Sequence, residues 1–442
     1  MKMEIVFSLI CFHAVIMVAR SSSIISDQGA EVQALSTGVG DSATGGTDVQ
    51  GLSTAVGDNV TGAGNDQQLL SGSGTFSVKD YGVKGDGKTD DTKGFQSAWQ
   101  AACAASGSPT LSIPKGMYLI GPVKFTETDL ISVSSNHQGT LLGSSNLGQY
   151  AGNDWLQFGW LSGLTITGGG TLDGQGAQAW PQNKCPKSKQ CNTLPANLKF
   201  NAVTNSFVKG IKSVNSKFFH IGMVDTHNVQ FIGLTITAPD ASPNTDGIHI
   251  ERSSGISVVD SHIGTGDDCI SIGHGSTQIT VTGVTCGPGH GISVGSLGRY
   301  PKEEDVRGII VKGCTLTGTM NGIRIKTWEN SPGPSTASNM TFDDIIMVNV
   351  GNPIIIDQTY CPFSKCDAAS PSKVKLQDIT FRNIRGTSKN PEAVTLDCSS
   401  AVPCQNVILE EINLQHSAGP KCICKNVKAK FVGKQLPAPC AV

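Results

Sequence analysis

Carboxyl, imidazole and basic side chains recur at regular spacing in the second half of this 442-residue chain. One reaction that such groups could perform is glycosidic hydrolysis, which needs a protonated carboxylic acid for the leaving oxygen and a carboxylate that activates water or attacks. Carboxyl groups packed together raise the pKa of one of them, which keeps a proton available near neutral pH. Basic side chains would bind carboxylates of a substrate. The candidates are Asp246, Asp267, Asp268, His290, Arg324 and Lys326.

The spacing of the aspartates and the histidine is close to one coil of a solenoid. Asp246 and Asp267 are 21 residues apart, and Asp268 and His290 are 22 apart. Residues one coil apart stack on one face at the strand spacing of roughly 4.8 Å. Consecutive strand residues point to opposite faces, so both Asp267 and Asp268 can serve one site only if the chain bends, as Gly266 permits. The spacing therefore predicts that the aspartates and the histidine stack in a row on one face of the solenoid.

The basic residues fit the same wall one coil later. Arg324 and Lys326 lie 34 and 36 residues beyond His290. This distance matches one further coil if the polar stretch Gly298–Arg307 is an inserted loop. Because Arg324 and Lys326 are two positions apart, they share a face of a strand.

Each candidate also has a structural interpretation. Asp267 and Asp268, next to a glycine, are typical of a turn or a helix cap, and His290 between two glycines is typical of a turn. Arg324 and Lys326 are compatible with a solvated strand face. Their joint occurrence at the coil spacing favours a functional site. A calcium site built from the aspartates is the other specific interpretation, but we predict no metal and no other cofactor.

Short β-branched runs separated by turn residues predict an all-β fold. Ile256 and Ile279 begin two such runs 23 residues apart, and a period of 20 to 30 residues indicates a solenoid. No helical pattern interrupts the runs, so crossover helices are not expected. We predict a single-stranded right-handed parallel β-helix. A β-sandwich is the alternative, but its hairpin signals are scarce here.

One amphipathic helix is predicted near the start of this fold. Lys93–Cys103 has apolar residues at helical spacing, among them Phe95 and Trp99. Asp90 or Asp91 could cap its N-terminus. We expect this helix to cover the N-terminal end of the β-helix.

The overall charge of the chain argues against nucleic acid as a partner. The chain contains 53 Gly and 15% charged residues, and its net charge is −2. No basic field indicates nucleic acid. An acidic polymer would have to be attracted by locally placed cations.

The N-terminal part of the chain is predicted to be separate from the catalytic domain. Residues 1–23 resemble a signal peptide, because the apolar run Ile5–Ala19 is shorter than the ~20 residues that span a bilayer. A membrane anchor is the alternative. Residues 24–74 form a Gly/Ser/Thr-rich linker or pro-segment with an internal repeat, or a wall-binding or inhibitory segment. Residues 75–442 form the catalytic domain.

The cysteines and sequons are compatible with a secreted protein. The 14 Cys include close pairs that are disulfide candidates in an oxidising compartment. A zinc site is the alternative, but no histidine partners occur at metal-ligand spacing from these cysteines. Asn59 and Asn339 begin glycosylation sequons. The close pairs are Cys185 with Cys191, Cys361 with Cys366, Cys398 with Cys404, and Cys422 with Cys424.

Four short motifs resemble those of the polygalacturonases, glycoside hydrolase family 28. They occur in the family's order, and the resemblance extends from about Phe76 to Cys440. It begins with Asp80–Gly87, which is similar to the opening of pectin-degrading β-helices. Within the family the chain is most similar to plant, pollen-type, exo-acting members. The motifs are Asn244–Asp246, Gly266–Asp268, Gly289–Gly291 and Arg324–Lys326.

The resemblance implies a role for each matched residue. Asp267 would be the general acid, and Asp246 and Asp268 would hold and activate the water in a hydrolysis with inversion. His290 would support the protonation of Asp267.

The resemblance also implies substrate contacts and one crosslink. Arg324 and Lys326 would bind galacturonate, with Asn244 and Tyr360 as further substrate-contacting residues. A disulfide between Cys269 and Cys286 is typical of the family.

The leading hypothesis is a monomeric, secreted cell-wall enzyme that hydrolyses the α-1,4 links of polygalacturonic acid in pectin, more from chain ends than internally. It would have no membrane attachment after signal removal. Alternatives are an endo-acting enzyme, a hydrolase of rhamnogalacturonan or xylogalacturonan, a calcium-dependent pectate lyase and a non-catalytic wall-binding β-helix. The non-catalytic alternative predicts loss of at least one catalytic aspartate, and all of them are present.

Overall fold

A computed structural model of the protein describes residues 74–126, 131–135, 139–184, 193–362 and 370–440. The predicted signal peptide, nearly all of the predicted linker, the sequon at Asn59 and the Cys185–Cys191 pair lie outside these residues. Cys366 lies outside them as well.

Most of the described chain belongs to two parallel sheets that run the length of a solenoid. The first sheet has eleven strands, one from each successive coil, and it carries the candidate residues. Its strands are Val123–Thr126, Leu156–Gly159, Leu198–Asn201, Ile221–Val224, Ile248–Glu251, Ile270–Ile272, Ile292–Leu297, Asn321–Trp328, Asn352–Tyr360, Glu392–Asp397 and Lys421–Lys425.

The second sheet has 22 strands and covers the remaining sides of the coils. Its strands are Thr75–Ser77, Asp86–Asp90, Thr110–Ile113, Gly116–Ile120, Ser132–Ser135, Gly139–Gly143, Thr165–Thr167, Thr171–Asp173, Thr204–Lys209, Lys212–Val214, His227–Ile232, Thr235–Thr237, Ser254–Val259, His262–Gly264, Thr277–Thr282, Thr285–Cys286, Val306–Lys312, Thr315–Thr317, Ser335–Val350, Val374–Ser388, Gln405–Gln415 and Lys430–Leu436. Short 3-10 helices occupy Val78–Tyr81, Leu147–Gln149, Gly176–Gln178 and Trp180–Gln182.

Stacked aliphatic side chains hold the coils together. In the first sheet Ile248 pairs with Ile270, Ile270 pairs with Ile292, and both pairings are parallel. These residues are at most 1% exposed, because alternate residues of each strand point into the solenoid. Burial of each such side chain contributes roughly 1.5–3 kcal/mol. The chain is a right-handed parallel β-helix, as predicted, and Ile256 pairs with Ile279 at the predicted 23-residue period.

One repeated turn explains why polar residues interrupt the β-branched runs. Asn228, Gln278, Asn339 and Asn406 lie at equivalent positions in alternate coils and all have φ between 49° and 56°. This left-handed region is most accessible to Gly, Asn and Asp. The residue at this position in each coil is skipped in the strand pairing, and the pairs on either side of it stay in register.

The predicted helix covers the N-terminal end of the solenoid. It spans Thr92–Cys103 and buries Phe95 and Trp99, among others. The Trp99 ring lies 4.7 Å from the Phe125 ring in the first strand of the site-bearing sheet. Asp90 accepts a hydrogen bond from the Thr92 backbone N–H, so the capping contact at this end comes from Asp90.

The disulfides confirm two of the predicted pairs and correct a third. Cys269 is bonded to Cys286, and Cys398 to Cys404. Cys424 is bonded to Cys440 rather than to Cys422, which forms no disulfide. Residues two positions apart on an extended strand are held ~6–7 Å apart, beyond the usual Cβ separation of a disulfide. The prediction that paired Cys422 with Cys424 is therefore wrong.

Candidate active site

Five consecutive coils position the candidate residues along the first sheet. Because Ile248 pairs with Ile270 and Ile270 with Ile292, the positions two residues earlier bring Asp246, Asp268 and His290 to one level. Asp267 joins them because the chain bends before the strand Ile270–Ile272.

The basic residues lie on the next coil, as the sequence predicted. Ser293 pairs with Arg324, and the same coil contributes the strands Val306–Lys312 and Thr315–Thr317 to the second sheet. The inserted loop therefore lies between Leu297 and Val306, and Arg307, the predicted end of the loop, belongs to a strand. Ile323 and Ile325 point into the core, and Arg324 and Lys326 therefore share the outer face.

Asp267 forms a hydrogen-bonded pair with His290. The Nδ1 atom of His290 lies 3.0 Å from Oδ1 of Asp267, and Nδ2 of Asn244 donates to Oδ2 of Asp267 at 3.3 Å. Burial raises the pKa of Asp267, but the hydrogen bond and charge of His290 outweigh it, and the pKa lies below its ordinary value. Burial lowers the pKa of His290, but its contact with Asp267 outweighs this and raises it.

Asp268 is buried and held on both oxygens. Lys326 donates from Nζ to Oδ2 at 2.6 Å, and Ser293 donates from Oγ to Oδ1 at 2.7 Å. Asp268 is 1% exposed and Lys326 is 8% exposed. Burial lowers the pKa of Lys326, but the negative charge of Asp268 more than compensates, and the pKa is raised. The carboxylate and the ammonium group are therefore fixed to each other.

Asp246 is the carboxyl group of the cluster that most favours its neutral form. Burial, together with the negative charges of Asp267 and Asp268, raises the pKa of Asp246 well above its ordinary range. Oγ of Ser271 donates to Oδ2 of Asp246 at 2.7 Å and lies 2.8 Å from Nδ1 of His249. One oxygen of Asp246 is therefore tied into the sheet.

Arg324 and Tyr360 form the far side of the cluster. Arg324 donates from Nη2 to Oδ2 of Asp357 at 2.7 Å. Its guanidinium carbon lies 5.0 Å from the centre of the Tyr360 ring, and Nζ of Lys326 lies 5.6 Å from it. Nε of Arg324 is buried without a hydrogen-bond partner. The sequence-predicted residues are thus all brought together.

The aspartates and the histidine are close enough to hold a cation. Asp267, Asp268 and His290 each offer one atom within 4.8 Å of the others. However, Lys326 and Ser293 already occupy both oxygens of Asp268, and calcium takes six to eight oxygen ligands. The donor set suits proton transfer better than calcium binding.

Sequence reasoning missed three supporting residues. Ser271, Ser293 and Asp357 each contact one of the predicted residues. A signal existed for the serines, because Ser271 and Ser293 lie 22 residues apart, like the aspartates that they contact. Asp357 pairs with Lys326 in register, but its contact with Arg324 depends on how that side chain turns.

A parallel β-helix with clustered carboxyl groups of differing proton affinity on its outer wall defines a carbohydrate-cleaving enzyme of the glycoside hydrolase class. The chain matches the family described as Glycosyl hydrolases family 28 over residues 103–434. It belongs to this family.

Plant proteins are similar to the chain over most of its length. The chain is 47% identical over 374 residues to an exopolygalacturonase of Platanus acerifolia. The alignment covers 84% of this chain and 98% of the relative. The chain is 45% identical over 373 residues to an exopolygalacturonase of Zea mays, covering 84% and 91%. A polygalacturonase of Gossypium barbadense is 45% identical over 366 residues, covering 82% and 90%.

Solved structures of the same architecture are more distant in sequence. An exopolygalacturonase from Thermotoga maritima gives a TM-score of 0.65 at 20% identity and covers 80% of this chain and 91% of that chain. An endo-xylogalacturonan hydrolase from Aspergillus tubingensis gives a TM-score of 0.71 at 24% identity, covering 81% and 100%. These likenesses establish the fold alone. Within the described residues, no helix has the length and apolarity needed to cross a membrane.

Proposed function

We propose that the enzyme hydrolyses the α-1,4-galacturonosyl links of polygalacturonic acid with inversion, acting mainly from chain ends. Relatives named exopolygalacturonase at 45–47% identity support this substrate and this mode. Endo action is the alternative. The observation that carries the proposal is the pairing of Asp267 with His290 beside two further carboxyl groups, Asp246 and Asp268.

In the proposed reaction Asp267 gives a proton to the leaving glycosidic oxygen. Asp246 and Asp268 hold a water molecule and remove its proton as it attacks the anomeric carbon from the opposite face. Arg324 and Lys326, with Asn244 and Tyr360, contact the galacturonate unit. The water oxygen forms the new bond to carbon, and the proton from Asp267 completes the departing hydroxyl group.

The proton for the leaving group is shared by neighbouring sites. In the free enzyme, burial favours the neutral form of Asp246, whereas the raised pKa of His290 favours an imidazolium beside ionised Asp267. Such coupled groups titrate together. We propose that the proton moves from Nδ1 of His290 to Oδ1 of Asp267 as the glycosidic oxygen arrives. Once neutral, Asp267 no longer raises the pKa of Asp246, so Asp246 gives its own proton to solvent water and is then ionised to accept the proton of the attacking water.

The basic limb of the pH–activity profile tests this role of His290. The pair keeps its proton below the raised pKa of His290 and loses it as the pH rises through that value. In His290→Gln the proton depends on Asp267 alone, beside cationic Lys326. We therefore expect the basic limb of kcat to move by about one pH unit or more towards acid.

The matched control for this experiment is His262→Gln, which changes an exposed histidine in the second sheet. Its pH profile should overlay that of the wild type. A His290→Gln profile with an unchanged basic limb, at any absolute rate, would contradict a proton shared between His290 and Asp267.

The function itself is tested with purified protein and polygalacturonic acid. We expect reducing ends to accumulate while viscosity stays high, with no ultraviolet absorbance from unsaturated products. A rapid fall in viscosity would indicate endo action. Absorbance that disappears with a chelator would indicate a calcium-dependent lyase and contradict the hydrolytic roles of the aspartates.

We also propose that the enzyme is secreted to the cell wall as a monomer. The apolar N-terminal run, the sequons and the disulfides support secretion. On this proposal residues 1–23 are removed, 24–74 form a linker or pro-segment, and 75–442 form the catalytic domain. The exposed Asn339 is an accessible glycosylation site.

A further inference from the structure

The cations predicted to bind the substrate already have carboxylate partners. Lys326 is paired with Asp268 and Arg324 with Asp357. A substrate carboxylate that reaches this wall therefore meets charges that are largely balanced, with further acidic groups beside them. An acidic polymer needs an additional cation that no carboxylate of the enzyme neutralises.

Arg299 is such a cation. Its guanidinium carbon lies 5.4 Å from the centre of the Trp328 ring and 5.3 Å from that of the Tyr300 ring. Within the part of the chain that the structure describes, Arg299 forms no ion pair with a carboxylate. Its charge is held by contacts with aromatic rings, which leave its five N–H donors available.

Aromatic contacts join Arg299 to the catalytic cluster. The Trp328 ring meets the Tyr360 ring edge-on at 5.3 Å. The Tyr360 ring also lies beside the charged groups of Arg324 and Lys326. Arg299 thus adds a positive charge on the far side of Trp328 and Tyr360 from Arg324 and Lys326, beyond the sugar unit that occupies the catalytic cluster.

Backbone hydrogen bonds constrain the loop that carries Arg299. The buried carboxylate of Glu303 accepts backbone hydrogen bonds from Gly298, Arg299 and Tyr300 at 2.6–2.8 Å. A Cβ at Gly298, where φ is +82°, would lie 2.7 Å from a methyl group of Val374. The guanidinium group is therefore presented from a fixed backbone, at little entropic cost on binding.

We propose that Arg299 binds the carboxylate of a second galacturonate unit, next to the unit held at the catalytic cluster, and so selects for an acidic polymer. Tyr300, which is 53% exposed, and Trp328 orient the guanidinium group and contact the sugar. This inference rests on the proposed polygalacturonate substrate. A neighbouring neutral sugar would lose the ionic contact.

The test compares Arg299→Gln with Arg299→Lys on trigalacturonate and longer oligomers. Arg299→Gln should raise KM about tenfold and leave kcat within about twofold, because binding is lost equally before and during the chemical step. Arg299→Lys should recover part of the loss, since it keeps the charge without the planar fork. Arg307→Gln, at an exposed arginine of the second sheet, should match the wild type.

A salt series separates a carboxylate contact from a structural role. The fall of kcat/KM with ionic strength should be shallower in Arg299→Gln than in the wild type. An unchanged KM and salt slope in Arg299→Gln, or the same loss in Arg307→Gln, would overturn the inference while the proposed function stands. A folded wild-type enzyme that releases nothing from polygalacturonate would overturn both.

Discussion

Replacement of Asp267 by Asn should lower kcat on polygalacturonate by about a thousandfold or more and change KM little. Removal of a positioned general acid costs on the order of 10²–10⁴ in rate. The amide keeps the size of the side chain between His290 and Asn244 but has no proton to give to the leaving oxygen. Initial rates of reducing-end release measure the effect.

A substrate with a better leaving group identifies which aspartate is the acid. An aryl α-galacturonide needs less protonation of its leaving oxygen, so the penalty of Asp267→Asn should shrink by about tenfold or more on it. The penalty of Asp246→Asn should stay the same, because water activation is still required. The reverse pattern would assign the acid to Asp246, whose pKa is the raised one.

Replacement of Lys326 by Met should lower the free energy of unfolding by about 3–5 kcal/mol, because it leaves the buried charge of Asp268 unpaired. Asp268 is 1% exposed and keeps only the hydrogen bond from Ser293. The same change should lower kcat by about 100-fold, because a misplaced carboxylate cannot hold the water. Urea denaturation and initial rates measure the two effects.

The double variant Asp268→Asn, Lys326→Met is the control for Lys326→Met. With both charges removed, a large part of the lost stability should return, and the two single effects should be far from additive. Activity should stay low, because the neutral amide cannot accept the water's proton. Additive losses of stability would mean that the pair at 2.6 Å contributes no coupling energy.

The amino-acid sequence by itself was enough to predict the solenoid fold and the residues that form its candidate site. The coil period places Asp246, Asp268 and His290 at one level because hydrogen bonding between parallel strands fixes the register. The alternation of a strand likewise put Arg324 and Lys326 on one face. The number of residues between these positions was sufficient for the predictions, since each prediction depends on backbone geometry alone.

Tertiary structure decided the partners and the protonation of these residues. Ser271, Ser293 and Asp357 contact the site across coils through side-chain rotamers that spacing does not specify. The contrasting pKa directions of Asp246 and Asp267 arise from burial and from His290. Tertiary structure also decided that Cys424 forms its disulfide with Cys440 and not with Cys422, two positions away. Such properties depend on the distances between side chains and their exclusion from water, and only the folded chain fixes both.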